Sequence, residues 1–378
     1  MIIGIDARPL LTIPKTGVGE FAYELLSHLF VQDTKNTYLL FANAFTEQDE
    51  MPFQEYANVQ WVITRVPNKL LHLSIFLCGY PQLDRYVANR AGVQSIDVWF
   101  SPNLQFTSCS KYTKHILIVH DLSYYHYPSF FSYKGRIWHR AVRAKKQITH
   151  ADVIITPSQH TARDVADVYE VEKERIHIVY PGVCSHLQSD QKHTVAEVIQ
   201  TYNLPETFLL FLGTLEPRKN IDGILDAYRC SSYLKKKIPL IFAGSLGYKG
   251  SLYKAMIEQT EGARYIGYVD ERDKHGLYAR ARAFVYPSLY EGFGLPVLEA
   301  LSCATPVITS HRTSLPEVVG DAGILVNPYS VTELQTRMED IVHDDMLYSA
   351  VQEKAVEQAI RFSWDVAVRR CMELIEHI

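Results

Sequence analysis

The chain is 378 residues long, with 47% hydrophobic and 21% charged residues and a formal net charge of −4. That length exceeds one ordinary core and predicts two domains. The composition is that of a soluble globular protein, and the mild negative charge offers no general attraction for nucleic acid, so an anionic ligand has to be met by a local patch.

The six cysteines, Cys78, Cys109, Cys184, Cys230, Cys303 and Cys371, form no Cys-x-x-Cys pair. This points to reduced thiols in a cytosol and argues against a zinc site or a disulfide framework. An acid at Asp6 and the lack of a basic leader argue against a secretory signal. Apolar runs such as 70–80 are interrupted and too short to cross a bilayer.

In chain order, Ile2 to Ile5 reads as a buried first strand. A loop then runs to Gly19, ahead of an amphipathic helix from Glu20 to Phe30. Thr16-Gly17-Val18-Gly19 lies at this strand-to-helix crossover, where ligands collect beyond the strand ends of open α/β sheets; a bare Gly-x-Gly is equally a tight turn. Tyr38 to Phe41 and Val59 to Ile63 are further strands, and Lys69 to Arg90 is helical with a break near Pro81. His115 to Asp121 is an apolar run ending in polar groups, the position of functional residues in parallel sheets. His120 there is either a site residue or a histidine hydrogen-bonded at a strand end, and Asp121 could cap the following turn.

Tyr133 to Thr149 reads as a helix rich in Lys and Arg. A strand follows from Val153 to Thr156, and then a helix capped by Ser158 and running to Tyr169. Ile176 to Val179 is another buried strand. Cys184 to Thr194 is polar and aperiodic, as a linker should be, and the domain boundary falls there.

The second half restarts the alternation with Phe208 to Gly213. The next loop, Gly213-Thr-Leu-Glu-Pro-Arg218-Lys219-Asn220, carries two cations at a glycine turn, with Asn220 placed to cap a helix from Ile221 to Tyr228. Such a pair is either a phosphate clamp or solvated surface charge. Leu240 to Gly244 and Arg264 to Val269 supply two more strand ends, and Asp270 to Ala281 is helical.

The densest chemistry lies between Ser288 and Ile308, after a strand from Ala283 to Tyr286. Gly292-Phe293-Gly294 allows close backbone approach, and Pro296 suits the first turn of a helix. Free N–H groups near Gly294 and Leu295 then meet the positive end of the helix dipole, forming an anion site. Glu291 and Glu299 flank it. Carboxylates repel phosphate, so these two are placed to accept hydrogen bonds from hydroxyls on either side, as a sugar and a ribose would offer. Pro306 to Thr309 is the next strand, Ser314-Leu-Pro-Glu317 has capping-box spacing, and the pattern from Val331 onward is helical.

The Glu291-x7-Glu299 spacing, with Gly-Phe-Gly-Leu-Pro between the glutamates and Glu-Ala-Leu at the second, closely resembles the signature of retaining nucleotide-sugar glycosyltransferases with the GT-B fold. The resemblance extends to Ile-Asp-Ala-Arg-Pro and Thr-Gly-Val-Gly-Glu at the start, His120-Asp121, the Gly213 to Asn220 string and Phe362-Ser363-Trp364. It therefore spans nearly the whole chain. It implies an α/β protein of two Rossmann-like domains facing across a cleft. The N-terminal acceptor domain would be 1–185, the C-terminal donor domain 195–360, and 361–378 a helix crossing back to the first.

The activity so implied is retaining transfer of a hexose from a nucleotide-diphosphate sugar to a glycan or lipid-linked hydroxyl acceptor, in polysaccharide or glycan synthesis. In catalysis His120 steadies the sugar, Glu291 binds its hydroxyls, and Arg218 and Lys219 neutralise the departing diphosphate. The donor would be bound by Gly17, Gly213, Arg218, Lys219, Tyr268, Val269, Glu291, Phe293, Gly294, Leu295 and Glu299, with Glu299 on the ribose. No divalent metal or other cofactor is expected, since the sequence offers no Asp-x-Asp triplet. The acceptor proton passes to the leaving phosphate oxygen, so no dedicated base is implied.

The Gly213 string together with Asp-Ala-Arg-Pro is most similar to the mannosyltransferase-like branch, hence GDP-mannose as donor. Alternatives are another donor such as UDP-glucose, a GT-B sugar-nucleotide epimerase or phosphorylase, or a non-catalytic sugar-nucleotide-binding scaffold. The expected location is cytoplasmic, at the inner face of the membrane if the segment 124–146 meets an anionic bilayer. Its six cations between Lys134 and Lys146 are accompanied by no acid, and aromatics lie alongside. The same aromatics could instead pack as core.

Overall fold

The computed structural model describes residues 1–11, 17–44, 51–184, 187 and 193–378. Thr16 and most of the 184–194 stretch read as a linker lie outside the described residues. Two compact units emerge. One comprises Met1–Leu122, Tyr133–Gly182 and Ser363–Ile378, the other Ser123–Ser132 and Val183–Phe362. The first unit is thus not one continuous run to 185. Residues 123–132, the aromatic part of the 124–146 segment, belong with the second unit and the basic part with the first.

The first unit holds seven parallel strands: β1 (Ile2–Asp6), β2 (Thr37–Asn43), β3 (Val59–Thr64), β4 (Val98–Ser101), β5 (Lys114–Ile118), β6 (Val153–Thr156) and β7 (Ile176–Ile178). Their order is β3-β2-β1-β4-β5-β6-β7, so the winding reverses between β1 and β4. Ile3 pairs with Tyr38 on one side and Val98 on the other. Strands covered on both faces read as continuous apolar runs, which is why β1 and β2 are plain in the sequence. The short β4, Val-Trp-Phe-Ser, was not anticipated. At the sheet's edge β7 is only half covered, with Ile178 exposed, contrary to the buried strand expected there.

The first helix spans Gly17–Gln32, so Gly17 and Gly19 form its opening turn and not the loop before it. Its Phe21, Leu25 and Leu29 share a core with Trp364, Val368 and Cys371 of the final helix, Trp364–Glu376. Phe21 and Trp364 meet edge to face at 5.2 Å. The basic stretch expected as one helix is two, Tyr133–Ala141 and Ala144–His150, parted at Arg143, whose φ is +55°. Buried Val142 anchors the break in a core shared with Leu71 and Ile75.

The second unit holds β8 (Leu209–Leu212), β9 (Leu240–Ala243), β10 (Ala263–Tyr265), β11 (Ala283–Tyr286), β12 (Val307–Ser310) and β13 (Gly323–Val326). All six are parallel, in the order β10-β9-β8-β11-β12-β13, and the winding reverses between β8 and β11. β13 was not foreseen. β10 covers only the first two residues of the Arg264–Val269 stretch, because Gly267, at φ +87°, turns the chain. Both units are thus Rossmann-like parallel sheets.

Pro181-Gly182 passes directly beneath the start of the final helix. A Cβ on Gly182 would lie inside contact distance of the Trp364 backbone nitrogen and 2.8 Å from its ring. Gly182→Ala is therefore expected to destabilise the protein by about 1–3 kcal/mol through overpacking. Chemical denaturation measures this, and an unchanged midpoint would contradict the packing described.

Candidate functional site

In open parallel sheets, ligands bind beyond the carboxyl ends of the strands where the winding reverses. In the second unit that place is defined by the loops after β8 and β11, which carry the two motifs singled out in the sequence. After β8, Gly213 runs against Gly244 at the end of β9. A Cβ on Gly244, at φ +126°, would collide with the Gly213 carbonyl, so glycine is required there. Gly244 N donates to Gly267 O at 2.7 Å, carrying the same ledge to the exit of β10. Of the next two residues, Tyr268 is half exposed and Val269 buried.

The chain then makes one 3-10 turn, Pro217–Lys219, and enters the helix Ile221–Cys230. Asn220 stands at the helix start but does not cap it. It is left-handed, at φ +59°, and its amide donates to the carbonyls of Pro287 at 3.2 Å and Pro328 at 2.7 Å. The expected cap is therefore a cross-brace between the β8 loop and the β11 loop.

A charge cluster joins the same two loops. Arg218 Nη1 donates to Glu291 Oε2 at 2.6 Å and to the Tyr290 carbonyl at 3.2 Å, while Nε and Nη2 reach Glu216 at 3.1 and 2.9 Å. Lys219 Nζ donates to Glu291 Oε1 at 2.6 Å and also contacts the Tyr286 hydroxyl. Burial alone would raise the Glu291 carboxyl, but Arg218 and then Lys219 outweigh it and hold the group down at about 2. Burial and the neighbouring Arg218 pull Lys219 down, opposed by Glu291 and Glu216. With an ionised carboxylate at 2.6 Å, Lys219 keeps its proton at neutral pH. Neither cation is solvated surface charge.

The 291–294 loop is stitched from behind. Ser314 Oγ donates to the carbonyls of Glu291 at 3.0 Å and Phe293 at 2.7 Å, and Glu291 N donates to Thr313 Oγ1 at 3.2 Å. Ser314 thus spends its hydroxyl on this loop, and the capping box read at Ser314-Glu317 does not form. Gly294, at φ +113°, precedes the helix Leu295–Ser302, with Pro296 in the first turn as expected. Glu299, buried within that helix, accepts from the Tyr278 hydroxyl at 2.8 Å and has Lys274 at 3.8 Å. Burial, then the Glu299 charge, drives the Tyr278 phenol well above its usual value, so it stays a donor.

Arg218, Lys219 and Glu291 are therefore brought into direct contact, with Gly213, Phe293, Gly294 and Leu295 on the loops around them and Glu299 one helical turn on. Tyr268 and Val269 sit on the β10 exit. Tyr286, Glu216 and Tyr278 were not singled out, and Ser314 was read only as a helix cap. Tyr286 ends its strand at the sheet's carboxyl edge, a position that could have flagged it.

His120 and Gly17 belong to the first unit. His120 follows β5 and is bound through Nε2 to the Pro102 carbonyl at 2.8 Å, with Phe21 edge-on at 4.8 Å. Burial lowers its pKa against the pull of Pro102 O and Asp121, so the ring is neutral at pH 7. A neutral ring donating from Nε2 presents Nδ1 as an acceptor. The exit of β1 is fixed by a fork in which Arg8 grips buried Asp6 at 2.5 and 2.8 Å and also donates to Phe106 O.

Comparison with known proteins agrees with this architecture. Residues 196–359 match the family described as Glycosyl transferases group 1, and residues 16–186 match Glycosyltransferase Family 4. The chain thus carries glycosyltransferase domains of both kinds, one in each half. It is 29% identical over 371 residues to the O-antigen chain mannosyltransferase B of Escherichia coli, covering 96% of each chain. It is 30% identical over 235 residues to the serotype-specific mannosyltransferase WbdA of Escherichia coli, covering 58% of this chain and 28% of that one. In fold it is similar to sucrose-phosphate synthase from Thermosynechococcus elongatus, with a TM-score of 0.76, 18% identity, and 100% and 98% of the two chains covered.

Glu291→Gln would leave buried Lys219 without its counter-charge and Arg218 with Glu216 alone, an expected loss of about 3 kcal/mol. The same carboxylate makes stability pH-dependent. Its folded pKa lies below the ordinary 4.5, so the unfolded chain binds a proton that the folded chain does not. The contribution is complete above 4.5 and is lost as pH falls toward about 2. Melting curves across that window should show a steeper slope in the parent than in Glu291→Gln; equal slopes would contradict the ion cluster.

Proposed function

We propose that this chain transfers mannose from GDP-mannose to a glycan or lipid-linked hydroxyl acceptor with retention at the anomeric carbon, in polysaccharide synthesis. The end-to-end likeness to the O-antigen chain mannosyltransferase B carries this reading. The Arg218–Lys219–Glu291 cluster supplies its chemistry. Arg218 and Lys219 receive the diphosphate, with the N–H groups of Gly294 and Leu295 beside it. Charge grows on the leaving diphosphate as the glycosidic bond breaks, and two fixed cations stabilise it without a divalent metal. The acceptor oxygen bonds to the anomeric carbon and its proton goes to the leaving phosphate oxygen on the same face, so atoms and charge balance without a separate base.

In the free protein Glu291 holds both cations. As the diphosphate takes them over, the carboxylate turns to the sugar hydroxyls, and Glu299 accepts from the ribose. His120 offers its Nδ1 acceptor to the transferred sugar.

Lys219→Ala should lower kcat/KM by about one to two decades, the worth of one charge-assisted contact. Unchanged turnover in the folded variant would remove Lys219 from the reaction. Glu299→Ala should weaken GDP binding by about tenfold. Glu291→Gln should leave GDP affinity intact or raise it, and impair use of the sugar. Calorimetry on both variants decides the split, and equal losses would refute it. A thermal-shift panel should show GDP-mannose stabilising the protein more than UDP-glucose, because stabilisation follows occupancy; the reverse order would name another donor. Transfer that stops on adding EDTA would refute the metal-free mechanism.

A further inference from the structure

The helix Asn68–Cys78 in the first unit carries two opposed apolar stripes. Leu71 and Ile75 face inward and are buried in a core with Val87, Trp99 and Phe106. Leu70, Leu73 and Leu77, spaced three and four apart on the other side, are 58%, 52% and 67% exposed, and Tyr80 just beyond them is 68% exposed. No acid occurs anywhere from Tyr56 to Leu83. A row of leucines on an eleven-residue helix with a well-filled core behind it is not explained by folding, and contiguous exposed apolar surface marks a contact site.

What adjoins this stripe identifies the contact. Arg143 lies with its guanidinium 4.3 Å from the centre of the Phe76 ring, which places a cation at the stripe's edge. His72 stacks on Phe106 at 4.5 Å, and Phe106 meets Trp138 at 6.2 Å, linking the leucine helix to Tyr133–Ala141. On that helix and the next, Lys134, Arg136, Arg140, Arg143, Lys145 and Lys146 are exposed, as are Tyr133, Ile137 and Trp138. No acid occurs from Leu122 to Ala151. Apolar side chains and a run of cations with no acid among them, with an indole between them, match a surface whose charge is negative and whose interior is hydrocarbon. A protein partner would call for opposing acids and a fixed shape. An anionic bilayer calls for this composition alone.

We propose that the first unit docks on anionic membrane surfaces, with Leu70, Leu73, Leu77 and Tyr80 entering the acyl boundary and the Lys134–Lys146 cations resting among the headgroups. The aromatics of 124–131 take no part, since they pack with the second unit. This inference is independent of the donor proposed above, because the docking needs no sugar nucleotide.

The test is co-sedimentation of the full chain with vesicles of phosphatidylcholine alone or mixed equally with phosphatidylglycerol, at low and high salt. Binding should favour the anionic vesicles by tenfold or more and weaken with salt, each cation near the surface being worth about fivefold. The triple variant Leu70→Gln, Leu73→Gln, Leu77→Gln should lose about tenfold at both salt levels, since apolar burial is not screened. Replacing Arg140, Arg143, Lys145 and Lys146 by Gln should abolish the preference for anionic lipid. A label-free second measurement is the fluorescence difference between the parent and Trp138→Phe, expected to shift to the blue on adding anionic vesicles. Absence of binding by the parent at low salt, or binding indifferent to the leucine variant, would overturn the proposal. So would a parent dimer that ignores vesicles and is broken by the leucine variant in light scattering, which would assign the stripe to self-association.

Discussion

The ionised Glu291, buried and gripped by Arg218 and Lys219, is the constraint on which the second unit's loops depend. Two segments some seventy residues apart in sequence leave adjacent strands β8 and β11, and apart from the single 3-10 turn Pro217–Lys219 neither has regular structure to hold it. Buried Lys219 and Glu291 would each be costly alone, and each is tolerable because the other loop supplies its partner. The Asn220 amide, bonded to the Pro287 and Pro328 carbonyls, and the Ser314 hydroxyl then fix backbone that the ion cluster leaves open. Glycine at 244 lets the neighbouring strand ends close on each other. The outcome is a ledge of loops whose side chains are oriented before any ligand arrives.

The first unit solves the same problem with other residues. Its winding reverses between β1 and β4, and there the Asp6–Arg8 fork, extended to the Phe106 carbonyl, ties the β1 exit to the segment between β4 and β5. His120 is anchored across to Pro102, just beyond β4. In both units, polar side chains at the strand exits bond to each other or to backbone carbonyls, and so remain where a reacting group could meet them.

Much of this was legible from local pattern. The buried strands announced themselves as apolar runs, and the Gly-Phe-Gly-Leu-Pro stretch declared a helix start by its proline. What escaped was non-local or depended on an edge. β4 and β13 are four residues each, too short for a periodic signal, and β7 looked buried only because its single outer face cannot be told from sequence. Asn220 and Ser314 have cap chemistry, yet their side chains found partners on other loops, which no spacing rule anticipates. The break at Arg143 is set by Val142 seeking a core supplied from residues 71 and 75. Likewise the two motif glutamates could be recognised, but not that one would be held by cations and the other by a tyrosine hydroxyl.

The charge cluster also bears on how fast an anion is captured. Arg218 and Lys219 are matched by Glu216 and Glu291, so at distances beyond a Debye length, about 8 Å at physiological salt, the four groups sum to nearly nothing. A diphosphate approaching through solvent is not steered by them. In the mechanism proposed above, its advantage would begin at contact, when phosphate oxygens replace carboxylate ones on the same two cations. Ionic strength should then govern how long a bound anion stays rather than how often it arrives, and chloride, with one charge and no fork of oxygens, should be a poor substitute for it.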